Sequence, residues 1–250
     1  MSTSAMTPRR VLITGGAGGL GHSLAEAFLE AGDDVILADL PGSALEQAGA
    51  LFAVPTFGID LADHEAVSDS LDDVVAQCGP IDVLVNNAGV LHLHGKITDL
   101  PVADFEATIR VNILGTFAMT QAVARHMIAF TTHGAIVNIS SIGSRQPTVG
   151  MGAYESSKAA VDALTRWAAI ELADFGIRVN AVAPGPIDTP HMREGMPPGS
   201  PEREAWLTRI PLGQFADPVQ VAAAAVFLAS SNASDITGVS LPIDGGQLLI

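Results

Sequence analysis

Tyr154 and Lys158 stand four residues apart in YESSK, where a stretch with helical spacing at Val161, Leu164 and Ala168 begins. Side chains at i and i+4 project from the same face of a helix. A phenol with its ordinary pKa of about 10 is a poor general base at neutral pH. A neighbouring ammonium stabilises the phenolate, so Lys158 is expected to lower the Tyr154 pKa toward the working range. Tyr154 would then take the proton of an alcohol during oxidation, or give it to a carbonyl during reduction. It is the only tyrosine in the chain, so no other phenol can substitute. A Tyr and a Lys at this spacing also recur by chance, and the pair needs support from elsewhere.

Support comes from TGGAGGLG near the N-terminus, with Gly15, Gly18, Gly19 and Gly21 at a turn and a helix starting near Leu20. Glycines let backbone approach a pyrophosphate, and the free N–H groups of a helix start add positive potential. Farther on, VILAD ends on Asp39, about where a nucleotide-binding unit places an acid on ribose hydroxyls. A 2′-phosphate would meet that negative charge, and neither Leu40 nor the glycine turn offers an Arg or Lys to offset it. NAD is therefore expected over NADP. The other reading of Asp39 is a turn acid capping the next helix.

These residues need a frame. Apolar runs rich in β-branched residues recur at 11–14, 35–38, 81–85, 135–139, 178–182 and 239–243, and each reads as a buried strand. Helical stretches separate them, with Leu24, Phe28 and Ala31 in the first. Alternation of this kind predicts a single-domain α/β fold, a doubly wound parallel sheet of the Rossmann type joined by right-handed crossovers. Domain boundaries are expected at a tail over 1–9 and one domain over 10–250. The long PGPIDTPHMREGMPPGSPE segment reads as an irregular functional loop, a lid over about 190–212, and its Met192, Met196, Trp206 and Leu207 suit an apolar substrate.

Composition narrows the function classes. Twelve Lys and Arg against 27 Asp and Glu give a formal charge of −15, which would repel nucleic acid and anionic membranes. No apolar run approaches the roughly 20 residues of a membrane span. Cys78 is the single cysteine, with no motif around it, and the start MSTSAMTPRR lacks the apolar core of a secretory signal. A cytoplasmic protein with no metal site is expected. His92 and His94 in VLHLHG lack further ligands nearby, which leaves a metal site, a pocket wall or a plain surface loop as their readings. Arg145 is either an exposed loop residue or a contact for a substrate carboxylate.

Taken together, TGGAGGLG, NNAG at 86–89, the NISS run ending at Ser141, the Tyr154–Lys158 pair and PGPIDT at 184–189 closely resemble the short-chain dehydrogenase/reductase family, from about Arg10 to the C-terminus. The resemblance implies a catalytic set of Asn112, Ser141, Tyr154 and Lys158. Ser141, thirteen residues before Tyr154, would hold the substrate oxygen; Ser140 is the alternative, and strand alternation lets only one face the site. Asn112 would anchor a water chain linking Lys158 to solvent, although an Asn on an apolar helix with Phe105, Ile109 and Phe117 also reads as structural. On the cofactor side, the resemblance implies Asp60 and Leu61, following a third strand, at the adenine. Asn86, Asn87, Ala88 and Gly89 would line the ribose and phosphates. Pro184, Gly185, Ile187 and Thr189 would hold the nicotinamide, with Lys158 also on its ribose.

The resulting expectation is an NAD-dependent oxidoreductase interconverting a secondary alcohol and a ketone. A carbonyl or 3-oxoacyl thioester reductase is the second reading, and a non-catalytic nucleotide-sensing or scaffold protein the third. The family resemblance implies a homotetramer, with interfaces at the helices around Asn112 and after Tyr154 and at the apolar C-terminal DGGQLLI.

Overall fold

The computed structural model describes residues 8–91 and 93–250. Among them, seven parallel strands form one sheet in the order β3-β2-β1-β4-β5-β6-β7. The strands are β1 (Arg10–Thr14), β2 (Asp34–Asp39), β3 (Thr56–Gly58), β4 (Val83–Asn86), β5 (Ala135–Ile139), β6 (Arg178–Pro184) and β7 (Ser240–Ile243). All six apolar runs are strands. The three-residue β3 escapes the periodicity argument because TFG is an edge segment too short to alternate.

Helices α1 (Gly19–Glu30), α2 (Ser43–Phe52), α3 (Ala66–Cys78), α4 (Val102–Ile109), α5 (Thr116–Ala129), α6 (Gly152–Leu172), α7 (Pro190–Gly195), α8 (Pro201–Leu207) and α9 (Pro218–Ala229) connect the strands. Side chains alternate across the pleat and feed two cores. Val11, Ile13, Val35 and Leu37 pack with Leu24 and Phe28 of α1 and Val221 and Leu228 of α9. Leu12, Ile36, Leu84 and Ile136 pack on the opposite face with Leu71 of α3 and Met119, Val123 and Met127 of α5. Burial on both faces explains why the strands read as continuous apolar runs.

The strand order reverses between β1 and β4, the switch point where the carboxyl ends of the strands open a crevice. Two local features shape that crevice. Between α4 and α5, residues Arg110–Gly115 form a π-helical turn that carries the buried Asn112. Beyond β6, the segment expected to be an irregular loop holds α7 and α8. Thr189 and Ser200 cap their first turns by accepting from the N–H of Met192 and Arg203, and a proline follows each cap. Asp188 joins the two helices, accepting from Arg193 and from the nearly buried Arg203. Of the expected N-terminal tail, residues 1–7 lie outside the described residues, while Arg9 is tied down by Asp33 at 2.6 Å.

Candidate active site

At the switch point lies a cleft of about 440 Å³, lined from β1 by Thr14 and Gly15, from the start of α1 by Gly18, Gly19, Leu20 and Gly21, and from β2 by Asp39 and Leu40. Asp60 and Leu61 close one end, and Asn87, Ala88 and Gly89 the other. Gly15 needs to be glycine twice over. Its φ is +66°, and a β-carbon would stand 2.8 Å from the Ala88 backbone. The turn is also braced by Asn87, whose amide donates to the carbonyls of Thr14 and Gly15 at 3.1 and 2.9 Å.

Helix α1 begins at Gly19 without a side-chain cap, so its first N–H groups open toward the cleft. At the end of β2, one Asp39 oxygen accepts from Ala17 N at 2.9 Å and the other from Leu40 N at 2.8 Å. Asp39 therefore braces the glycine turn whatever else it binds. Asp60 is exposed and accepts from Ala62 N, while Leu61 is buried. A bare uncapped helix start, a turn that admits no β-carbon at Gly15 or Gly21 and an acid at the end of β2 fit a nicotinamide dinucleotide.

Asn86 is placed differently from the expectation. It is buried beneath the cleft, donating to Thr120 Oγ1 and Asn138 Oδ1 at 3.0 and 2.9 Å. Asn87, expected beside it, does line the cleft.

Gly89 joins the cleft to the Tyr–Lys pair. A β-carbon there would stand 3.2 Å from Asn112 Oδ1 and 3.5 Å from Lys158 Nζ. The Asn112 side chain is held on three sides: Oδ1 accepts from Val90 N at 2.8 Å, and Nδ2 donates to Val90 O and Ser157 Oγ at 3.0 and 2.9 Å. Lys158 is buried and donates to Ile139 O at 2.7 Å, with its ammonium 5.6 Å from the Tyr154 ring centroid. Ser141 opens a short 3-10 turn (Ile142–Ser144) and accepts from Gly143 N. Its hydroxyl lies beside the Tyr154 phenol, whereas Ser140 turns into the protein and donates to Lys158 O at 3.3 Å.

The electrostatics depart from the simple expectation for this pair. Burial pushes the Tyr154 phenol up; the Ser141 hydroxyl opposes this and the Glu155 carboxylate adds to it. The Lys158 ammonium rests over the ring with a carbonyl as its hydrogen-bond partner. Burial lowers Lys158 itself to about 8, against the opposing charge of Asp162.

On the far side, Gly185 packs against Asp244 and Gln247, and Pro184 ends β6. Ile187 pairs with Ala216, and its carbonyl accepts from Thr189 N at 2.8 Å. Thr189 and Pro190 sit within about 3.5 Å of the position a Gly19 β-carbon would take, which sets this segment across the start of α1. Arg145 is exposed and donates to Ser240 O. His94 is exposed, and His92 lies outside the described residues. Among the described residues no cluster of three metal-ligating side chains occurs, and no helix is long and apolar enough to cross a membrane.

Several contributors were not singled out from the sequence: Thr14, whose hydroxyl accepts from the N–H of Asn87 and Ala88, Ser157, Glu155, Asp162 and Asp188. Four of these lie inside motifs already quoted, Thr14 in TGGAGGLG, Glu155 and Ser157 in YESSK and Asp188 in PGPIDT, while Asp162 stands one helical turn beyond Lys158.

A family model described as enoyl-(acyl carrier protein) reductase matches residues 15–247. The chain is 40% identical over 243 residues to the 3-oxoacyl-(acyl-carrier-protein) reductase FabG of Thermotoga maritima, covering 95% of this chain and 97% of that protein. Among solved structures, NAD+-bound xylitol dehydrogenase is similar at a TM-score of 0.90 and 32% identity, over 97% of this chain and 100% of the other. ElxO with NADP bound is similar at 0.91 and 35%, over 98% and 100%. Together with the fold, the glycine turn and the Ser141, Tyr154 and Lys158 cluster, these matches establish that the chain belongs to the short-chain dehydrogenase/reductase family of oxidoreductases.

Proposed function

We propose that the protein interconverts a secondary alcohol and a ketone with NAD, using Tyr154 as general acid and base. The observation that carries this reading is the cluster of Tyr154, Lys158, Ser141 and Asn112, with Asn112 Oδ1 and Lys158 Nζ next to Gly89 of the cleft. Gly15, Gly18, Gly19, Leu20 and Gly21 would hold the pyrophosphate, and Asp39, Leu40, Asp60 and Leu61 the adenosine. Asn87, Ala88 and Gly89 would line the middle of the cofactor. Pro184, Gly185, Ile187 and Thr189 would border the nicotinamide, which supplies the hydride acceptor or donor when bound. Ser141 orients the substrate oxygen toward the phenol, Tyr154 moves the proton at that oxygen, and Lys158 holds positive charge behind it. Asn112 fixes the Val90 backbone around Lys158. No metal is required, because the phenol and the serine polarise the oxygen.

NAD is supported by Asp39 and by the lack of any lysine or arginine among the residues lining the cleft. Similar solved structures hold either NAD+ or NADP, so Asp39 carries the choice. A panel of secondary alcohols read at the NADH absorbance tests the activity. NAD should outperform NADP by at least tenfold in kcat/KM; a preference for NADP removes this role from Asp39. Tyr154→Phe should abolish turnover and leave NADH binding nearly intact, and retained turnover would remove the mechanism.

The similarity to FabG of Thermotoga maritima favours a second reading, reduction of a 3-oxoacyl thioester. NADPH-dependent turnover of a 3-oxoacyl thioester above that of every free ketone would select it. The lid over about 190–212 and a cytoplasmic setting belong to the same proposal. So does a homotetramer: the stacked Phe117 and Trp167 and the exposed Leu114 and Ile170 present apolar surface on the π-helical turn, α5 and α6. Light scattering should return four times the chain mass.

A further inference from the structure

Asp162 lies one turn beyond Lys158 on α6, and both side chains are buried. Helical side chains lean toward the N-terminus, which directs the Asp162 carboxylate toward the turn of Lys158. Oδ2 accepts from Ser144 Oγ at 2.6 Å, in the 3-10 turn that Ser141 opens. Oδ1 is buried with no hydrogen-bond partner. A half-satisfied buried carboxylate is costly and calls for a compensating charge. Lys158 supplies one from inside the protein; Arg166, the next cation along the helix, is exposed.

Other charged groups on elements packed against α6 are engaged elsewhere. Asp104, Glu106 and Arg125 reach solvent, Arg110 donates to Ala62 O, His126 pairs with Asp72, and Arg178 donates to the carbonyls of Leu228 and Ser230. Glu155, on α6 itself, accepts from Thr148 N and acts on Tyr154.

We infer that Asp162 is a positioning residue that keeps Lys158 protonated while Tyr154 is deprotonated, through its buried carboxylate pinned by Ser144. The inference rests on the proposed roles of Tyr154 and Lys158. The pair shares its protons, so its midpoints belong to both groups. With one proton gone, the pair is either phenolate with ammonium, the form that oxidises alcohol, or phenol with neutral amine. Asp162 favours every form holding the ammonium. Its loss leaves the ratio of phenolate–ammonium to the fully protonated pair unchanged but enlarges the share of phenol with neutral amine.

The pH profile of kcat for alcohol oxidation therefore carries a distinctive signature. In Asp162→Asn the acid limb should superimpose on wild type, the midpoint should move down by about one pH unit, and the plateau should fall by the same factor, about tenfold, as expected for removing a nearby opposite charge. Ser144→Ala keeps the charge and should hold the wild-type midpoint. Phenolate absorbance near 295 nm reports Tyr154 alone, and its amplitude just above the midpoint should shrink in Asp162→Asn. NADH binding and thermal unfolding show that each variant is folded. A uniform fall in kcat with an unmoved midpoint and unchanged phenolate amplitude would overturn the inference. Full turnover by Tyr154→Phe would instead overturn the reading beneath it, and the inference with it.

Discussion

Replacing Asp188 by alanine should release α7 and α8 without unfolding the sheet. Asp188 precedes the α7 cap and accepts from Arg203 at 2.8 Å and from Arg193 at 3.0 Å. The two pairs differ in weight. The Arg203 side chain is 11% exposed, stacks 4.3 Å from the Phe215 ring and has Met196 O as its other partner. A charge-assisted hydrogen bond in that setting contributes about 1.5–3 kcal/mol. Arg193 is 56% exposed, and its pair contributes about 0–1 kcal/mol. Together, about 1.5–4 kcal/mol separates the seated α7 and α8 from the released helices. Hydrogen exchange reads such local opening directly, and the amides of α7 and α8 should exchange about 12- to 700-fold faster in Asp188→Ala. Amides of β1, β4 and β5 should keep their wild-type protection. Arg193→Gln should accelerate lid exchange by less than about fivefold. Lid exchange within threefold of wild type in Asp188→Ala would refute the reasoning, because the two helices would then be held by packing alone. Burial alone would raise the Asp188 carboxyl, yet the two arginines hold it below its ordinary 3.8. Its contribution is complete above pH 3.8 and is lost as pH falls through the lower folded value, so lid protection should fade on acidification.

Lys158→Met should abolish turnover yet stabilise the fold at pH 7. Depression of the lysine from 10.5 to about 8 corresponds to about 3 kcal/mol of burial cost, and chemical denaturation would read a gain of about 1–3 kcal/mol. The wild type binds fewer protons folded than unfolded between those values, so its stability relative to this variant should rise from pH 8 toward 10.5. In Gly15→Ala, left-handed strain and the clash with Ala88 should cost about 2–4 kcal/mol and weaken NADH binding, as followed by fluorescence titration. Glu155→Gln should loosen the segment at Thr148 and raise KM more than it lowers kcat, since both carboxylate oxygens accept from Thr148 N.

Legibility in the sequence followed local physical signals. The six longer strands declared themselves because burial on both faces demands unbroken apolar runs, and β3 did not because three edge residues carry no period. The glycine turn, Asp39 and the Tyr154–Lys158 spacing were readable as chemistry. The choice between Asn86 and Asn87 was not, since adjacent residues at a strand end differ only in which side of the sheet they face, and the structure sends Asn86 inward. Thr189-Pro190 and Ser200-Pro201 are helix starts in plain view, yet the density of prolines made the segment read as irregular. The direction of the Lys158 ammonium depended on Ile139 O, a backbone atom from another strand that no side-chain pattern encodes.

The π-helical turn at Arg110–Gly115 sets the phase of the helices on either side. Thr108 is buried before it, Asn112 and Gly115 within it, and Met119, Val123 and Met127 after it. Deleting one residue from this turn would let α4 and α5 run on as a regular helix, and everything downstream would rotate by about 100°. Such a chain would have to surrender either the Asn112 bonds to Val90 or the seat of Met119 and Met127 against the sheet. Insertions and deletions that surface loops absorb are thus barred from this helix, and its residue count is as much a part of the catalytic architecture as any side chain.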